Sequence, residues 1–322
     1  MEDPIDVSIV VISYNTRDVT LEALRSVVRE TQDLRYEVIV LDNASSDGSA
    51  EAIGREFPQI NLIASQDNLG FGQGNNVAAK HARGDFLLLL NPDTVVLDQA
   101  IDRIVAFAQS CPEKGIWGGR QIFADGSLNL TNCRRQMTLW GQFSWAAGLH
   151  RMRPNSWLFN YDSYGGWARD SVREVGIVSG CFLLIRRSLW EDLSGFDPVF
   201  FMYGEEADLC RRAMGVGARP TMTPEAEIIH YGGLSETVRA DKMERLLRAK
   251  ITFAKRHSGP LQFWMFRQIF GLLAAVRAFG FSAKARIAKG ATAKEKAATW
   301  KNVWQRRRTW LQGYDEVSPP GT

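Results

Sequence analysis

Within the first hundred residues, apolar runs of strand type and stretches of helical period take turns, and that alternation leaves few folds open. "VSIVVIS" (Val7 to Ser13), "EVIVLD" (Glu37 to Asp42), "NLIAS" (Asn61 to Ser65) and "DFLLLL" (Asp85 to Leu90) read as strands from their length and their β-branched or continuous apolar content. Between and after them stand "DVTLEALRSVVRE" from Asp18, "SAEAIGREF", "GQGNNVAAKHA" (Gly72 to Ala82) and "DQAIDRIVAFAQS", each with a helical pattern. Strands that alternate with helices form a parallel sheet through right-handed crossovers, so the fold class is α/β. Ligands of such sheets sit beyond the carboxyl ends of the strands. Tyr14, Asn15, Asp42, Asn43 and Asp93 all fall there. Further on, "VSGCFLLIRRSLW" reads as strand then helix, "GEEADLCRRAMGVG" as helix, and "EAEIIHYGG" as a strand that ends in His230.

The chain of 322 residues suits one large α/β domain with an appendage, or two domains. Its charge is divided. From Arg239 onward there are 18 Lys and Arg against 5 Asp and Glu, whereas the preceding residues hold 21 against 31. We therefore expect a body over 1–238 and a basic helical tail over 239–322. A basic tail on an acidic body faces a polyanionic surface. No nucleic-acid-binding module accompanies the charge, which leaves an anionic membrane as the expected partner. "LQFWMFRQIFGLLAAVRAFGF" (Leu261 to Phe281) is apolar but broken by Arg267 and Arg277, too short in any uncharged run for the ~20 residues of a span. Two readings stand for it, a helix lying in a membrane interface and a helical pair packed on the catalytic body. The stretch from Asn132 to Asp170 carries four tryptophans without a period. It reads either as an irregular excursion over a sheet face or as a mobile loop above an acceptor. The acidic start "MEDPIDVSIVVIS" lacks the character of a secretory signal. Cys111, Cys133, Cys181 and Cys210 show no metal-ligand spacing and are expected as reduced thiols of the cytoplasm.

Chemistry-bearing residues cluster in short motifs. In "LLLLNPDTVV", Pro92 cannot continue a central ladder, so the chain turns and leaves Asn91 and Asp93 at the strand's end. A hard divalent cation such as Mg²⁺ or Mn²⁺ takes one or two carboxylates plus substrate phosphates. Asn-Pro-Asp alone is equally an ordinary turn. In "LDNASSDGS", Asp42 can accept from the N3–H of a pyrimidine, or merely begin a turn. "NLGFGQGNN" (Asn68 to Asn76) is not GxGxxG, yet it opens a helix whose N–H groups suit a phosphate or sugar. "YGEEADLCRR" crowds Glu205, Glu206 and Asp208 at a helix start, where the dipole favours each negative charge by about 0.3–1 kcal/mol. One of them facing a cleft can serve as a general base. His230 is either a core histidine or a further metal ligand.

Taken in order, "VSIVVISYN", "VIVLDNASSDGS", "NLGFGQGNN", "LLLLNPDTVV", "SGCFLLIRRSLWEDLSGFDPVFFMYGEEADLCRR" and "IIHYGG" resemble the family 2 glycosyltransferases, closest to the rhamnosyltransferase-like subset of bacterial polysaccharide synthesis. The resemblance spans roughly residues 5 to 235. It implies a GT-A fold and an inverting, metal-dependent transfer from a nucleotide sugar; the basic tail fits a glycan or polyprenyl-linked acceptor at the inner face of the cytoplasmic membrane. It further implies that Tyr14, Asn15 and Asp42 contact base and ribose, that Asn68, Gly70 and Asn75 form the next donor segment, and that Asn91 and Asp93 end the DxD-type motif. His230 would join Asp93 at the metal, Gly180, Cys181 and Asp208 would lie on the acceptor side, and Glu206 would be the base. Two departures stand out: the motif keeps one carboxylate, and Glu206 stands where Asp is usual, which leaves Glu205 as its rival. "QRRRTW" in the tail is one residue too long for the QxxRW of processive synthases. The expected donor is dTDP-L-rhamnose. A UDP-hexose or UDP-hexosamine donor is the alternative, and an inactive nucleotide-sugar-binding scaffold is the reading from another class.

Overall fold

A computed structural model describes residues 4–232, 239–287 and 291–315. The opening alternation is realised as β1 (Val7–Ser13), α1 (Arg17–Glu30), β2 (Tyr36–Asp42), α2 (Ser49–Glu56), β3 (Asn61–Ala64), α3 (Gly70–Ala79) and β4 (Phe86–Leu90). There follow β5 (Thr94–Val96), α4 (Ala100–Ser110), β6 (Ile116–Ile122), β7 (Cys133–Arg134), α5 (Leu139–Ala147), α6 (Leu149–Met152), β8 (Arg173–Glu174), β9 (Ile177–Val178) and β10 (Phe182–Arg186). The chain continues through α7 (Arg187–Asp192), α8 (Glu205–Gly215), β11 (Thr221–His230), α9 (Arg239–His257), α10 (Pro260–Ile287), α11 (Ala291–Gln305) and α12 (Arg307–Trp310).

Within the described residues one compact unit takes in the chain up to Gln136, Trp167–Phe201 and the stretch from Glu205 through β11. Its main sheet runs β3-β2-β1-β4-β10-β6-β11-β5, with β8 beside β11. The first four strands are parallel. β10 enters antiparallel between β4 and β6, β11 lies parallel to β6, and β5 is antiparallel to β11. The sheet is thus mixed and mostly parallel, as a GT-A fold requires. Leu87 to Leu90 are all buried, because both faces of β4 are covered, and a strand covered on both sides has no reason to alternate. Val7, Ile9, Val11, Leu88 and Leu90 join Leu24 and Val27 of α1, Ile53 of α2 and Ile104 of α4 in one core. Each such buried side chain contributes roughly 1.5–3 kcal/mol. On the opposite face α3 lies close on β1: a Cβ at Gly74 would meet Ile12 Cγ2 at 3.2 Å. Gly70, Gly72 and Gly74 are all buried; Gly74 lets α3 approach β1, and Gly70 and Gly72 lie against the carbonyls of Phe201 and Phe200.

The second compact unit is built from Met137–Gly166 and the tail helices. Most of the tryptophan-rich stretch thus belongs to the second unit, where α5 packs on α10. Thr138 caps α5 by accepting from Gly141 N–H at 3.0 Å, and it donates to buried Asp162 at 2.7 Å. Burial raises the pKa of that carboxyl despite the hydroxyl and the Gln142 amide that donate to it. Leu247 and Ile251 of α9, Phe266, Phe270 and Leu273 of α10, Trp300 and Val303 of α11 and Trp310 of α12 form the unit's core. Arg306 bridges to Asp241 at 2.8 Å and Glu244 at 3.1 Å. Among the described residues no helix is long and apolar enough to cross a membrane.

Candidate active site

All the candidate residues belong to the first unit, and the sheet register places most of them. In the β1–β2 ladder Ser13 pairs with Asp42, and Asn43 N–H donates to Ser13 carbonyl at 2.8 Å. The two chains therefore leave the sheet side by side. Asn15, with φ of 52°, sits in the left-handed region that Asn tolerates. Its N–H donates to Ser45 Oγ at 2.9 Å, and its Oδ1 accepts from Ser46 N–H at 2.8 Å. Asn15 thus clamps the turn after Asp42. Tyr14 stands exposed beside it.

Asp42 is almost wholly buried, and one oxygen accepts from Ser45 N–H at 2.9 Å. The other oxygen, Oδ1, is buried without a hydrogen-bond partner among the described residues. A buried carboxylate oxygen left unmatched costs about 1–3 kcal/mol or more, so such an acceptor marks a place where a donor arrives from outside the chain. Asn43, placed at the strand's end with Asp42 but given no role by the motifs, fixes the neighbouring turn. Its amide donates to Gly70 carbonyl and its oxygen accepts from Leu69 N–H, both at 3.1 Å. Asn68 Oδ1 accepts from Gly70 N–H at 2.9 Å, and Asn75 donates to Phe71 carbonyl at 2.9 Å. Asn15, Asn68 and Asn75 therefore use these atoms to hold the chain's own turns and helix. Gly70 has φ of 76°, and a Cβ there would run into Phe201 carbonyl. The burial of a polar pair, Asp42 and Asn43, is the signal that sequence alone could not carry.

Asp93 and His230 meet because β5 and β11 pair. His230 lies opposite Thr94, and Tyr231 N–H donates to Asp93 carbonyl at 3.0 Å. Thr94 Oγ1 donates to Asn91 carbonyl at 2.7 Å, which closes the Asn-Pro-Asp turn. His230 Nε2 stands 3.4 Å from Asp93 Oδ1 and 3.5 Å from Asn91 Nδ2. Burial pushes the Asp93 carboxyl up, but the bond and charge of His230 outweigh it and hold its pKa below the ordinary value. For His230, burial opposes charging, while the adjoining Cys181 and Asp93 side chains raise its pKa to about 10. Ring and carboxylate thus face each other where a divalent cation could sit between them. Cys181 accepts from Gln121 Nε2 at 2.8 Å and lies 3.1 Å from Ser179 Oγ. Its carbonyl accepts from Asn91 N–H at 3.1 Å, which ties β10 to the turn.

The acidic helix start divides its three carboxylates. Asp208 is fully buried and pairs with Arg212 at 2.6 Å, and Arg212 also donates to the carbonyls of Leu193 and Gly195. Asp208 therefore anchors α8. Glu205 is buried, its Cβ 3.7 Å from where a Cβ of Gly72 would lie. Glu206 is partly exposed and faces Gly180, where an added Cβ would sit 3.9 Å from Glu206 Cβ and 3.1 Å from the Phe71 ring. Gly180 leaves a gap between that ring and Glu206.

Comparison with known proteins bears on the family and the fold. Residues 8–193 match the profile of glycosyl transferase family 2. The N-acetylglucosaminyl-diphospho-decaprenol L-rhamnosyltransferase of Mycobacterium tuberculosis is 30% identical over 69% of this chain and 76% of its own. The rhamnosyltransferase WbbL of Escherichia coli K12 is 25% identical over 70% of this chain and 83% of its own. Among solved structures, a mannosyltransferase from Pyrobaculum calidifontis in complex with GDP-Man and Mn²⁺ superposes with a TM-score of 0.55, at 17% identity, over 97% of this chain and 88% of that one. At that identity the likeness speaks for the fold. With its strand-end carboxylates, its fold and its relatives in agreement, the chain belongs to glycosyl transferase family 2 and is a glycosyltransferase of the GT-A fold.

Proposed function

We propose that the protein transfers L-rhamnose from dTDP-L-rhamnose, with inversion, to a polyprenyl-linked or polysaccharide acceptor at the inner face of the cytoplasmic membrane. The observation that carries the donor site is the partnerless, buried Oδ1 of Asp42, an acceptor suited to the N3–H of a thymine or uracil ring. The rhamnose assignment is supported by the names of the mycobacterial and Escherichia coli relatives. Tyr14 at the rim offers a ring for the base to stack on.

Asp93 and His230 would hold a divalent cation, Mg²⁺ or Mn²⁺. Among the described residues no group of three or more His, Cys, Asp or Glu could hold one. Two protein donors, with the rest of the shell from water and diphosphate oxygens, is the manner in which Mg²⁺ binds nucleotide substrates, so the residues fit. The cation would supply charge stabilisation to the departing diphosphate. Glu206 accepts the proton of the acceptor hydroxyl as that oxygen forms its bond to the anomeric carbon. The bond from that carbon to the diphosphate breaks on the opposite face, and configuration inverts. Glu205, packed under α3, stays out of the reaction. The basic tail supports a peripheral membrane location.

The test is a transfer assay with dTDP-L-rhamnose, UDP-glucose and UDP-N-acetylglucosamine, each with Mn²⁺ or with chelator. The proposal expects turnover with the first, abolished by chelation. Turnover with a UDP sugar alone would move the donor, and turnover with none would return the chain to a binding scaffold.

A further inference from the structure

A tail that docks on membranes by peeling off one amphipathic helix should wet the face opposite its core. α10 does the reverse. Phe266, Phe270, Leu273, Ala274 and Ala278 fill the core of the second unit, and the opposite face is apolar as well. Leu261, Met265, Leu272, Val276, Phe279 and Ile287 recur at helical spacing and are all exposed, Leu272 by 63% and Phe279 by 67%. Gln268 and Ala283 complete the stripe, which runs the length of a helix of about 40 Å. A helix apolar all round belongs inside a large core or a bilayer, and this one is too interrupted to span.

The stripe does not end at the tail. Trp140 and Phe143 of α5, their rings 5.8 Å apart, meet Trp264 and Met265 across an open apolar hollow of about 400 Å³. The elements that carry the stripe themselves hold one sign of charge. Pro260 to Ile287 contains Arg267, Lys284 and Arg286, together with Arg277, which lies over the rings of Trp145 and Trp300; the segment from Met137 to Asn160 contains Arg151 and Arg153, and neither stretch holds an Asp or Glu. Exposed aromatics beside Lys and Arg, without carboxylates, match the headgroup level of an anionic bilayer. A second copy is a poor fit, because a two-fold contact sets a patch against itself and would oppose these cations to one another.

We propose that α10 and α5 together form a preformed platform that lies on an anionic lipid surface, with Trp264, Leu272, Trp140 and Phe143 entering the headgroup region. The inference rests on the membrane location proposed above, and it differs in making the internal tryptophan-rich segment part of the docking surface. The test is cosedimentation of the full chain with vesicles of pure phosphatidylcholine and with phosphatidylglycerol added. It compares wild type, Trp264→Ser/Leu272→Ser and Trp140→Ser/Phe143→Ser, with circular dichroism and dTDP binding as controls of folding. Wild type should bind the anionic vesicles, and each folded double variant should bind roughly tenfold or more weakly. Equal binding by wild type and a folded Trp140→Ser/Phe143→Ser variant would overturn the composite platform and leave the membrane location standing. No binding by wild type would remove the membrane location itself. Dimerisation by light scattering, lost in the same variants without vesicle binding, would assign the face to a second copy.

Discussion

The two compact units break the rule of apolar inside and polar outside in opposite directions. The first hides polar groups: Asp42, Asn43, Asn75, Asp93 and Asp208 are all buried at or near the ends of its strands and helices. The second displays apolar ones: Leu261, Trp264, Leu272, Val276 and Phe279 face outward from a helix whose other side already forms a core. Burying a polar group is costly unless it is bonded, and exposing large apolar side chains in a row forfeits burial. Each departure therefore points to something that binds there. In the first unit, backbone ladders and side-chain amides satisfy most of the buried groups and leave over Asp42 Oδ1 and His230 Nδ1, among others. In the second, the helix that carries the exposed stripe holds basic residues and no Asp or Glu. The difference separates a site that recognises by directional bonds from a surface that recognises by area and charge.

The contrast can be broken most forcefully at the reaction centre. Glu206→Gln should lower the transfer rate by about 10²–10⁴-fold, as loss of a general base does, while calorimetric dTDP binding stays unchanged. Glu205→Gln should leave most of that rate intact, and the reverse ranking would reassign the base. Asp93→Ala should lower turnover by roughly 10²–10³-fold and remove the response of donor binding to Mn²⁺. Asp42→Asn keeps an oxygen for Ser45 N–H but can set an amide against the ring N–H. Donor affinity should fall about 10–100-fold with the melting temperature little changed. Phe270→Ala sharpens the comparison from the other side. It should destabilise the helical unit by about 3–5 kcal/mol, read by denaturant titration, while dTDP affinity is retained.

The strands and helices of the first hundred residues were legible because each carries its own period or an uninterrupted apolar run. The end of β4 was legible for a local reason, since Pro92 forbids the ladder to continue and leaves Asp93 at the turn. The meeting of Asp93 with His230 was not local. It depends on β5 pairing with β11, partners far apart in the chain, and no composition signal announces a three-residue strand. Asn43 was placed at the strand's end, but its role was not legible for a similar reason, because it holds Leu69 and Gly70 in a turn from another strand. The packing of the glycine run was not legible, since the neighbours of Gly72 and Gly74, Phe200 and Ile12, come from distant parts of the chain. In the tryptophan-rich stretch the missing period reflects short elements. α5 has nine residues, and its apolar side chains face α10 and an open surface at once.

The central claim is that Asp42 and Asp93 mark a metal-assisted nucleotide-diphosphate site, and calorimetric titration with dTDP tests it most directly. Wild type and Asp93→Ala are each titrated with Mn²⁺ and with chelator. The account predicts that Mn²⁺ strengthens dTDP binding to wild type and leaves the weaker binding of Asp93→Ala unchanged. Equal binding by both proteins in both conditions would contradict it.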